Sequence, residues 1–294
     1  MPLSFEDALK ACSGETGALL DRLLPVDATP ARRLVEAMRH AALGEGKRLR
    51  PFLVVESAAL FDVPRERALQ VGAALECVHC YSLVHDDLPA MDDDDTRRGK
   101  PTVHRAFDEA TAILAGDALL SYAFEIIADP ATHPEAEVRL QLVSGLAKAS
   151  GMAGMVGGQM LDITAETRVI SDVSGITLIQ KLKTGELFRF ACEAGAVLGA
   201  ADPAPLRQYA DELGLAFQIA DDILDVESNP VALGKATQKD RAKGKATFVD
   251  VLGLNEARDR AASLAASAIA ALESYGPRAE RLRAAARFIV SRRK

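Results

Sequence analysis

Apolar residues recur with a helical period along almost the whole chain, and convincing alternating strands are almost nowhere found. Hydrophobic residues make up 49% of the 294 residues; Ala and Leu are prominent, Trp is absent and aromatic residues contribute 5%. This mixture favours helices that pack closely through small side chains. Since no linker-like segment or repeat divides the chain, the sequence predicts one all-α domain over residues 1–294.

Glycine, proline and aspartate clusters mark the joints between the predicted helices. The predicted helices are 5–24, 30–43, one starting at Pro51, 68–88, 107–128, 135–149, 152–165, 173–199, 203–226, 255–274 and 277–290. Before Pro51 the chain carries a basic, glycine-bordered loop, GKRLR at 46–50.

Aspartates cluster at the end of an apolar helical stretch in the second half of the chain. Asp221 and Asp225 are four residues apart, so they share a helix face one turn apart, whereas Asp222 points elsewhere. An isolated buried carboxylate is costly unless it is paired or bound to a metal. The pattern therefore indicates a cation site; the alternative is a solvated acidic turn.

The first acidic cluster is less regular. Asp86 and Asp92 are six residues apart, which on an unbroken helix would turn them about 240° from each other. Pro89 removes a backbone donor and disturbs the helix, so the chain can bulge and bring Asp92 beside Asp86. The run 93–95 is interpreted as a solvated acidic loop without a ligand role.

Two such clusters suit divalent cations held between opposite walls of a cavity. Mg²⁺ takes oxygen ligands and often bridges one or two carboxylates to substrate phosphates, so the clusters predict a diphosphate site. Arginine suits bidentate phosphate contact, which gives the basic residues near the clusters a matching role. Those residues are Lys47, Arg50, Arg97, Arg98, Lys183, Lys235, Lys239 and Lys245. Each one taken alone could be an ordinary surface charge; their grouping argues otherwise.

Several classes of protein are disfavoured. A formal charge of −7 argues against nucleic-acid binding. The N-terminus lacks a signal-peptide pattern, and the longest uncharged run, 149–161, is too short to span a bilayer, so we expect a cytoplasmic protein with no membrane span. Cys77-x-x-Cys80 lacks a second pair for zinc, and all four cysteines are expected to be buried in helices. The glycines of GMAGMVGG, 151–158, follow no strand, so packing is favoured over a dinucleotide loop.

The ordered motifs of the chain resemble those of the short-chain trans-isoprenyl diphosphate synthases, and most of all the bacterial farnesyl diphosphate synthases. They are GKRLRP at 46–51, ECVHCYSLVHDDLPAMDDDDTRRGKPT at 76–102, GD at 116–117, GGQMLD at 157–162, KTGELF at 183–188 and FQIADDILD at 217–225. The resemblance implies a helical bundle around a deep central cavity, in a homodimer. It also implies Mg²⁺, three ions per active site, with Mn²⁺ able to substitute.

The resemblance implies a role for each site residue. Mg²⁺ would be coordinated by Asp86, Asp92 and Asp221, with support from Asp87, Asp222 and Asp225. The allylic diphosphate would be held by Arg97, Lys183 and Lys235, and isopentenyl diphosphate by Lys47, Arg50, His79 and Arg98. Thr184 and Gln218 would present oxygens to the developing allylic cation, and Lys245 also matches a substrate-binding position.

The implied reaction condenses isopentenyl diphosphate head to tail with dimethylallyl and geranyl diphosphate. The allylic C–O bond ionises, the isopentenyl double bond attacks, and loss of a proton, with the released diphosphate as base, restores an alkene. Water must be excluded from such a site, and the loop 228–247 and the basic tail, 292–294, are candidate lids. The tail could equally be a favourable charge at a helix C-terminus. Gln238, in GKATQKD, stands where the family usually has a glycine.

Product length is expected to depend on Tyr81 and Ser82, which lie about one helical turn before Asp86. In the family, an aromatic residue at the fifth position upstream accompanies C15 products, and a small residue there permits C20. A bulky residue at the fourth position favours C10. Tyr81 with Ser82 therefore predicts (E,E)-farnesyl diphosphate, with geranylgeranyl diphosphate as the runner-up. The competing classes are a class I terpene cyclase, which needs no second diphosphate site, and an inactive partner subunit, which would be expected to lose an acidic cluster.

Overall fold

The structure, a computed structural model, describes residues 4–27, 29–44, 46–165, 172–227 and 247–292. The helices are α1 Phe5–Leu23, α2 Arg32–Ala42, α3 Leu49–Ala59, α4 Arg65–Asp86, α5 Val103–Ala106, α6 Glu109–Ala128, α7 Ala136–Ser150 and α8 Met155–Ala165. They continue with α9 Val173–Gln180, α10 Glu186–Leu198, α11 Ala204–Glu227, α12 Phe248–Leu252, α13 Leu254–Ala271 and α14 Glu280–Ser291. A π-helical turn, Lys181–Gly185, joins α9 to α10, and a 3₁₀ segment, Glu273–Ala279, precedes α14. The predicted all-α class is confirmed.

The residues form two compact units, Met1–Val143 and Ser144–Lys294. In the first unit α4 packs against α3 and α6. Most of α4 between Ala68 and Val84 is buried, which is typical of a helix at the centre of a core. The four cysteines are free and buried in helices, as expected from the sequence.

The second unit is built around α11, which packs against α10 and α13. Ile176, Ile219 and Phe248 form part of its apolar core. The Tyr209 hydroxyl donates to the Leu282 carbonyl at 2.7 Å and so ties α11 to α14. At the start of α12, Thr247 and Asp250 form a capping box, which satisfies orphan donors of the first turn.

The only described strands form a small hairpin in the first unit. β1, Thr96–Arg97, pairs antiparallel with β2, Lys100–Pro101, with Arg97 opposite Lys100. The two residues of its turn, Arg98 and Gly99, have φ of +53° and +76°, a pattern that matches the twist of a two-residue hairpin.

Helix α6 is, within the described residues, long and apolar enough to cross a membrane, with a mean hydropathy of 1.5 and 39% of its window buried. A core helix of a soluble protein passes the same test.

The glycines of 151–158 lie around the joint between α7 and α8. A Cβ at Gly154 would meet the Ala149 carbonyl, whereas one at Gly158 would meet the backbone of Lys183. The close approach between neighbouring backbones therefore occurs at Gly158.

Candidate active site

The first acidic cluster is shaped by the end of α4. The helix stops at Asp86, and the chain turns back so that the Asp92 N–H donates to the Asp86 carbonyl at 2.8 Å. The Asp94 N–H donates to the Asp87 carbonyl in the same way, at 3.3 Å. Pro89 lies within this turn. The backbones of Asp86 and Asp92 are adjacent, as expected from a bulge at Pro89.

Asp87 is a buried carboxylate held by an arginine. It is 3% exposed, and burial raises its pKa, while the adjacent Arg97 guanidinium acts in the opposite direction. Arg97 donates from Nε to Asp87 Oδ1 at 2.7 Å and also pairs with Asp94 at 3.2 Å. Because the Asp87 carboxylate is already paired with Arg97, we interpret it as a support for the acidic cluster and not as a direct metal ligand.

A group of arginines surrounds His79 on α4. Burial lowers the pKa of His79 well below its usual value, and the charges of Arg50, Arg98, Arg48 and Arg97 lower it further. The imidazole is therefore neutral at neutral pH and can donate or accept one hydrogen bond beside these cations. The predicted residues Arg50, His79 and Arg98 thus lie together; Lys47, on the same loop, is exposed.

The hairpin carries Arg98 to the glycine-bordered loop. A Cβ at Gly46 would lie 2.8 Å from Arg98 Nη1, so the glycine leaves space for the guanidinium. A small cleft of about 50 Å³ lies beside Arg98 in the first unit. Its lining includes His40, Asp87, Arg97, Arg98, Lys100 and Thr102. This lining suits an anionic group with a short apolar part.

Tyr81 and Ser82 lie on α4 before the acidic turn. Tyr81 is 6% exposed and meets the His85 ring edge-on, with 5.8 Å between centroids. Burial, with a smaller contribution from Asp86, raises the pKa of Tyr81 to about 12. The Ser82 hydroxyl donates to the His79 carbonyl at 2.9 Å. Tyr81 is thus a buried ring, packed against His85, about one helical turn before Asp86.

The second cluster lies near the end of α11. Asp222 accepts a hydrogen bond from the Phe248 N–H at 2.8 Å, and burial raises its pKa to about 7. Asp221 forms an ion pair with Arg292, whose guanidinium also lies 4.3 Å from the Phe217 ring centroid. Asp225 is exposed. The predicted difference between Asp222 and the other two aspartates is therefore present.

Lys183, Thr184 and Gln218 are positioned by a local irregularity. Lys183 and the buried Thr184 lie in the π-helical turn, a feature frequent at functional sites. Lys183 Nζ donates to Asp162 Oδ2 at 2.7 Å, and Gln218 Nε2 donates to Gln180 Oε1 at 2.6 Å. The turn thus places an ammonium and a hydroxyl on successive residues.

Some predicted residues lie outside the described part of the chain. These are Lys235, Gln238, Lys239, Lys245, the loop 228–246, Arg293 and Lys294. Their roles stay predictions.

Four polar partners were not identified from the sequence: Glu76, Asp162, Gln180 and the pairing of Arg292 with Asp221. Asp162 ends the GGQMLD motif, which was the available signal for it. The others have no local signal, since each partner comes from another helix.

The carboxylates of the two clusters fit a hard cation whose remaining ligands come from a substrate. Among the described residues, no group of three or more His, Cys, Asp or Glu side chains could hold a metal ion by itself. Mg²⁺ commonly uses one or two carboxylates together with water and substrate phosphates. The paired Asp86 and Asp92, and Asp221 with Asp225, supply carboxylates in that number.

Comparison with known proteins gives a consistent result. The polyprenyl synthetase family model matches residues 31–278. Farnesyl diphosphate synthase of Escherichia coli strain K12 is 44% identical over 305 residues, covering 99% of this chain and 100% of the relative. The crystal structure of an FPP/GFPP synthase from Zymomonas mobilis is 50% identical, with a TM-score of 0.89 over 98% of this chain and 99% of that one. A geranyltransferase structure from Legionella pneumophila is 33% identical, with a TM-score of 0.87 over 98% and 97% of the two chains.

Proposed function

Since the chain belongs to the polyprenyl synthetase family, we propose that it condenses isopentenyl diphosphate with dimethylallyl and then geranyl diphosphate to give (E,E)-farnesyl diphosphate. The observation that carries this proposal is the coexistence, in one unit, of two different means of holding an anion. Asp86 and Asp92, whose backbones are hydrogen-bonded to each other, offer carboxylates suited to a metal-bound diphosphate. Arg50 and Arg98, with neutral His79, form a separate basic group suited to a second diphosphate. A terpene cyclase needs only the first.

In the proposed reaction, the side chains of the chain bind, orient and shield the substrates. Asp86, Asp92 and Asp221 would hold Mg²⁺, with support from Asp87, Asp222 and Asp225; three ions are expected, and Mn²⁺ can substitute. Bound Mg²⁺ supplies Lewis-acid stabilisation of the departing diphosphate. Arg97, Lys183 and Lys235 hold the allylic diphosphate, while Lys47, Arg50, His79 and Arg98 hold isopentenyl diphosphate. Lys245 is proposed to assist substrate binding.

Charge also develops on carbon when the allylic C–O bond ionises. Thr184 and Gln218 are proposed to direct oxygens at that carbon, and the place of the buried Thr184 in a π-helical turn, a feature frequent at functional sites, supports this. The isopentenyl double bond then attacks, and the proton that is lost passes to the released diphosphate. Arginine does not deprotonate in proteins, so Arg50 and Arg98 hold phosphate without acting as the base.

Product length is proposed to be C15, with Tyr81 as the floor of the hydrocarbon cavity and Ser82 leaving room for the second condensation. The burial and edge-on packing of Tyr81 support a fixed ring. Tyr81→Ala would remove that floor and shift the main product to C20. The Zymomonas relative is described as an FPP/GFPP synthase, so the assay must resolve products longer than C15.

The assembly is proposed to be a cytoplasmic homodimer of single-domain chains, without a membrane span or nucleic-acid partner. Exposed apolar side chains on α6 and α7 of the first unit, Ile113, Leu114 and Leu140, are suited to a second copy. The family match crosses the boundary between the two units, which supports one domain. Light scattering of purified protein measures the oligomeric state, and one cooperative unfolding transition would agree with one domain.

The first experiment incubates purified protein with Mg²⁺, isopentenyl diphosphate and dimethylallyl or geranyl diphosphate. The dephosphorylated products are then separated by chain length. A dominant C15 alcohol that becomes C20 in Tyr81→Ala is the expected result. A C10 or C20 product from the wild type would contradict the assigned floor but not the reaction. Absence of condensation with both primers would contradict the reaction itself.

A further inference from the structure

Arg48 is the one basic residue of the loop 46–50 that faces inward. Its side chain is 3% exposed, while Lys47 is exposed and Arg50 is partly buried. Its backbone is left-handed, with φ of +49°, at the position that precedes α3. A non-glycine residue seldom adopts this conformation, which persists only where the surrounding contacts fix it.

The Arg48 guanidinium joins three parts of the first unit. It forms an ion pair with Glu76 in the middle of α4, and the Glu76 side chain is 2% exposed. Its Nη2 donates to the Ala42 carbonyl at 2.5 Å and to the Gly44 carbonyl at 2.7 Å, at the end of α2. One side chain therefore ties the end of α2 and the following loop to α4.

The contacts made by Arg48 lie next to the basic group around His79. Glu76 precedes His79 by three residues on α4, so the two side chains lie on neighbouring positions of the helix surface. Arg50 is two residues after Arg48, and a Cβ at Gly46, two residues before it, would meet the Arg98 guanidinium. The loop, α4 and the hairpin thus meet where the tie is made.

A fully buried ion pair is an unusual way to hold a core together. Its desolvation cost can exceed the attraction between the charges, and packed apolar side chains of similar volume often stabilise as well or better. Apolar side chains, however, cannot bind two backbone carbonyls. The Arg48–Glu76 pair therefore fixes the geometry of the loop, which an apolar pair would not do.

We propose that Arg48 and Glu76 are positioning residues for the second diphosphate site. They set the loop that carries Lys47 and Arg50 against His79 of α4 without touching substrate. The inference rests on the proposed function, in which this basic group binds isopentenyl diphosphate.

The test separates positioning from stability with a double variant. Arg48→Met with Glu76→Met removes both buried charges, so the melting temperature is expected to stay within a few degrees of the wild type. The KM for isopentenyl diphosphate is expected to rise about tenfold, and the KM for geranyl diphosphate to stay the same. Arg48→Lys keeps one charge opposite Glu76 but cannot reach both carbonyls, so a smaller rise in the same KM is expected.

Arg283→Met is the matched control. Arg283 also donates to two backbone carbonyls, Gly276 and Leu272, each at 2.8 Å, but in the second unit. It is expected to lower the melting temperature and leave both KM values unchanged. Should the double variant fail to fold, Arg48→Lys carries the test by itself.

Direct binding of isopentenyl diphosphate, measured by calorimetry, distinguishes failure of the positioning role from failure of the proposed function. Wild-type binding with about tenfold weaker binding by the double variant supports the positioning role. Equal binding by the wild type and every folded Arg48 variant would overturn it. No binding by the wild type would overturn the proposed function first. An equal rise of both KM values would show a general structural effect and also overturn the positioning role.

Discussion

The two acidic clusters use the same side chain but reach their geometry by opposite routes. Asp221 and Asp225 lie one turn apart on the unbroken helix α11. Asp86 and Asp92 are brought together because α4 ends and the backbone turns back on itself. A regular helix is thus sufficient for the second pair, whereas the first pair requires the helix to stop.

The supporting aspartates differ in the same way. Burial raises the pKa of both Asp87 and Asp222. At Asp87 a guanidinium from only ten residues ahead, Arg97, opposes that rise. At Asp222 the partner is the neutral N–H of Phe248, and the pKa reaches about 7. A nearby positive charge thus opposes the rise in pKa at Asp87, whereas Asp222 has only a neutral backbone donor against its larger rise.

The largest expected effect compares the ligand aspartates. Asp86→Asn is expected to lower kcat about a thousandfold, since it removes charge that would hold the cation stabilising the leaving group. Asp225→Asn, in an exposed support, is expected to cost about tenfold. Asp93→Asn, in the acidic loop, serves as control and should retain wild-type kcat. Steady-state assays at saturating Mg²⁺ decide the order, and equal losses at Asp86 and Asp93 would contradict the assignment.

The second effect concerns stability at Asp87. Arg97→Gln leaves a buried carboxylate without its cation, and the free energy of unfolding is expected to fall by about 2 kcal/mol. Arg105→Gln is the matched control, because the Arg105–Asp95 pair is exposed at both ends. That change should cost less than about 0.5 kcal/mol. Urea denaturation with EDTA measures both; similar losses would show that burial of Asp87 does not matter.

The third effect concerns Asp222 and depends on pH. Its carboxyl keeps a proton up to about pH 7 when folded, whereas the unfolded chain releases it near pH 4, so folding is increasingly penalised between these values. Asp222→Asn keeps the acceptor for the Phe248 N–H and removes the penalty. We expect it to stabilise the protein by about 2 kcal/mol at pH 8 and by almost nothing at pH 4.

Denaturation in EDTA at several pH values tests this dependence. Asp259→Asn, at an exposed position on α13 away from the cluster, is the control and should show little change with pH relative to the wild type. A stability gain for Asp222→Asn that is as large at pH 4 as at pH 8 would rule out titration of Asp222 as its cause.

The smallest expected effect concerns Arg292. Its guanidinium pairs with Asp221, a predicted metal ligand whose side chain is 41% exposed and therefore screened by water. Arg292→Gln is expected to lower the Mg²⁺ concentration for half-maximal rate about threefold, because one competing charge is lost. The Mg²⁺ dependence of the melting temperature gives a second readout. A higher Mg²⁺ requirement would instead indicate that the tail assists closure.

Much of the first cluster's shape could be predicted locally, because it depends on one proline and a short turn. Cys77 and Cys80 were likewise predictable as buried, since they lie in a mostly apolar stretch of their helix. The partners of Arg48 and Asp221 could not be predicted, because Glu76 and Arg292 are 28 and 71 residues away. The spacing of charges along a sequence carries no information about which distant helix will face them.

The sequence by itself determined the helical architecture and the positions of the two acidic clusters, because periodicity, caps and breaks act within a few residues. Its ordered motifs also identified the family. Only the tertiary structure decided how far each carboxylate is removed from water and which group binds it. Arg97 holds Asp87, the Phe248 N–H holds Asp222, and Arg48 holds Glu76. Burial and pairing depend on packing between distant segments, and packing sets both the pKa and the orientation of each group.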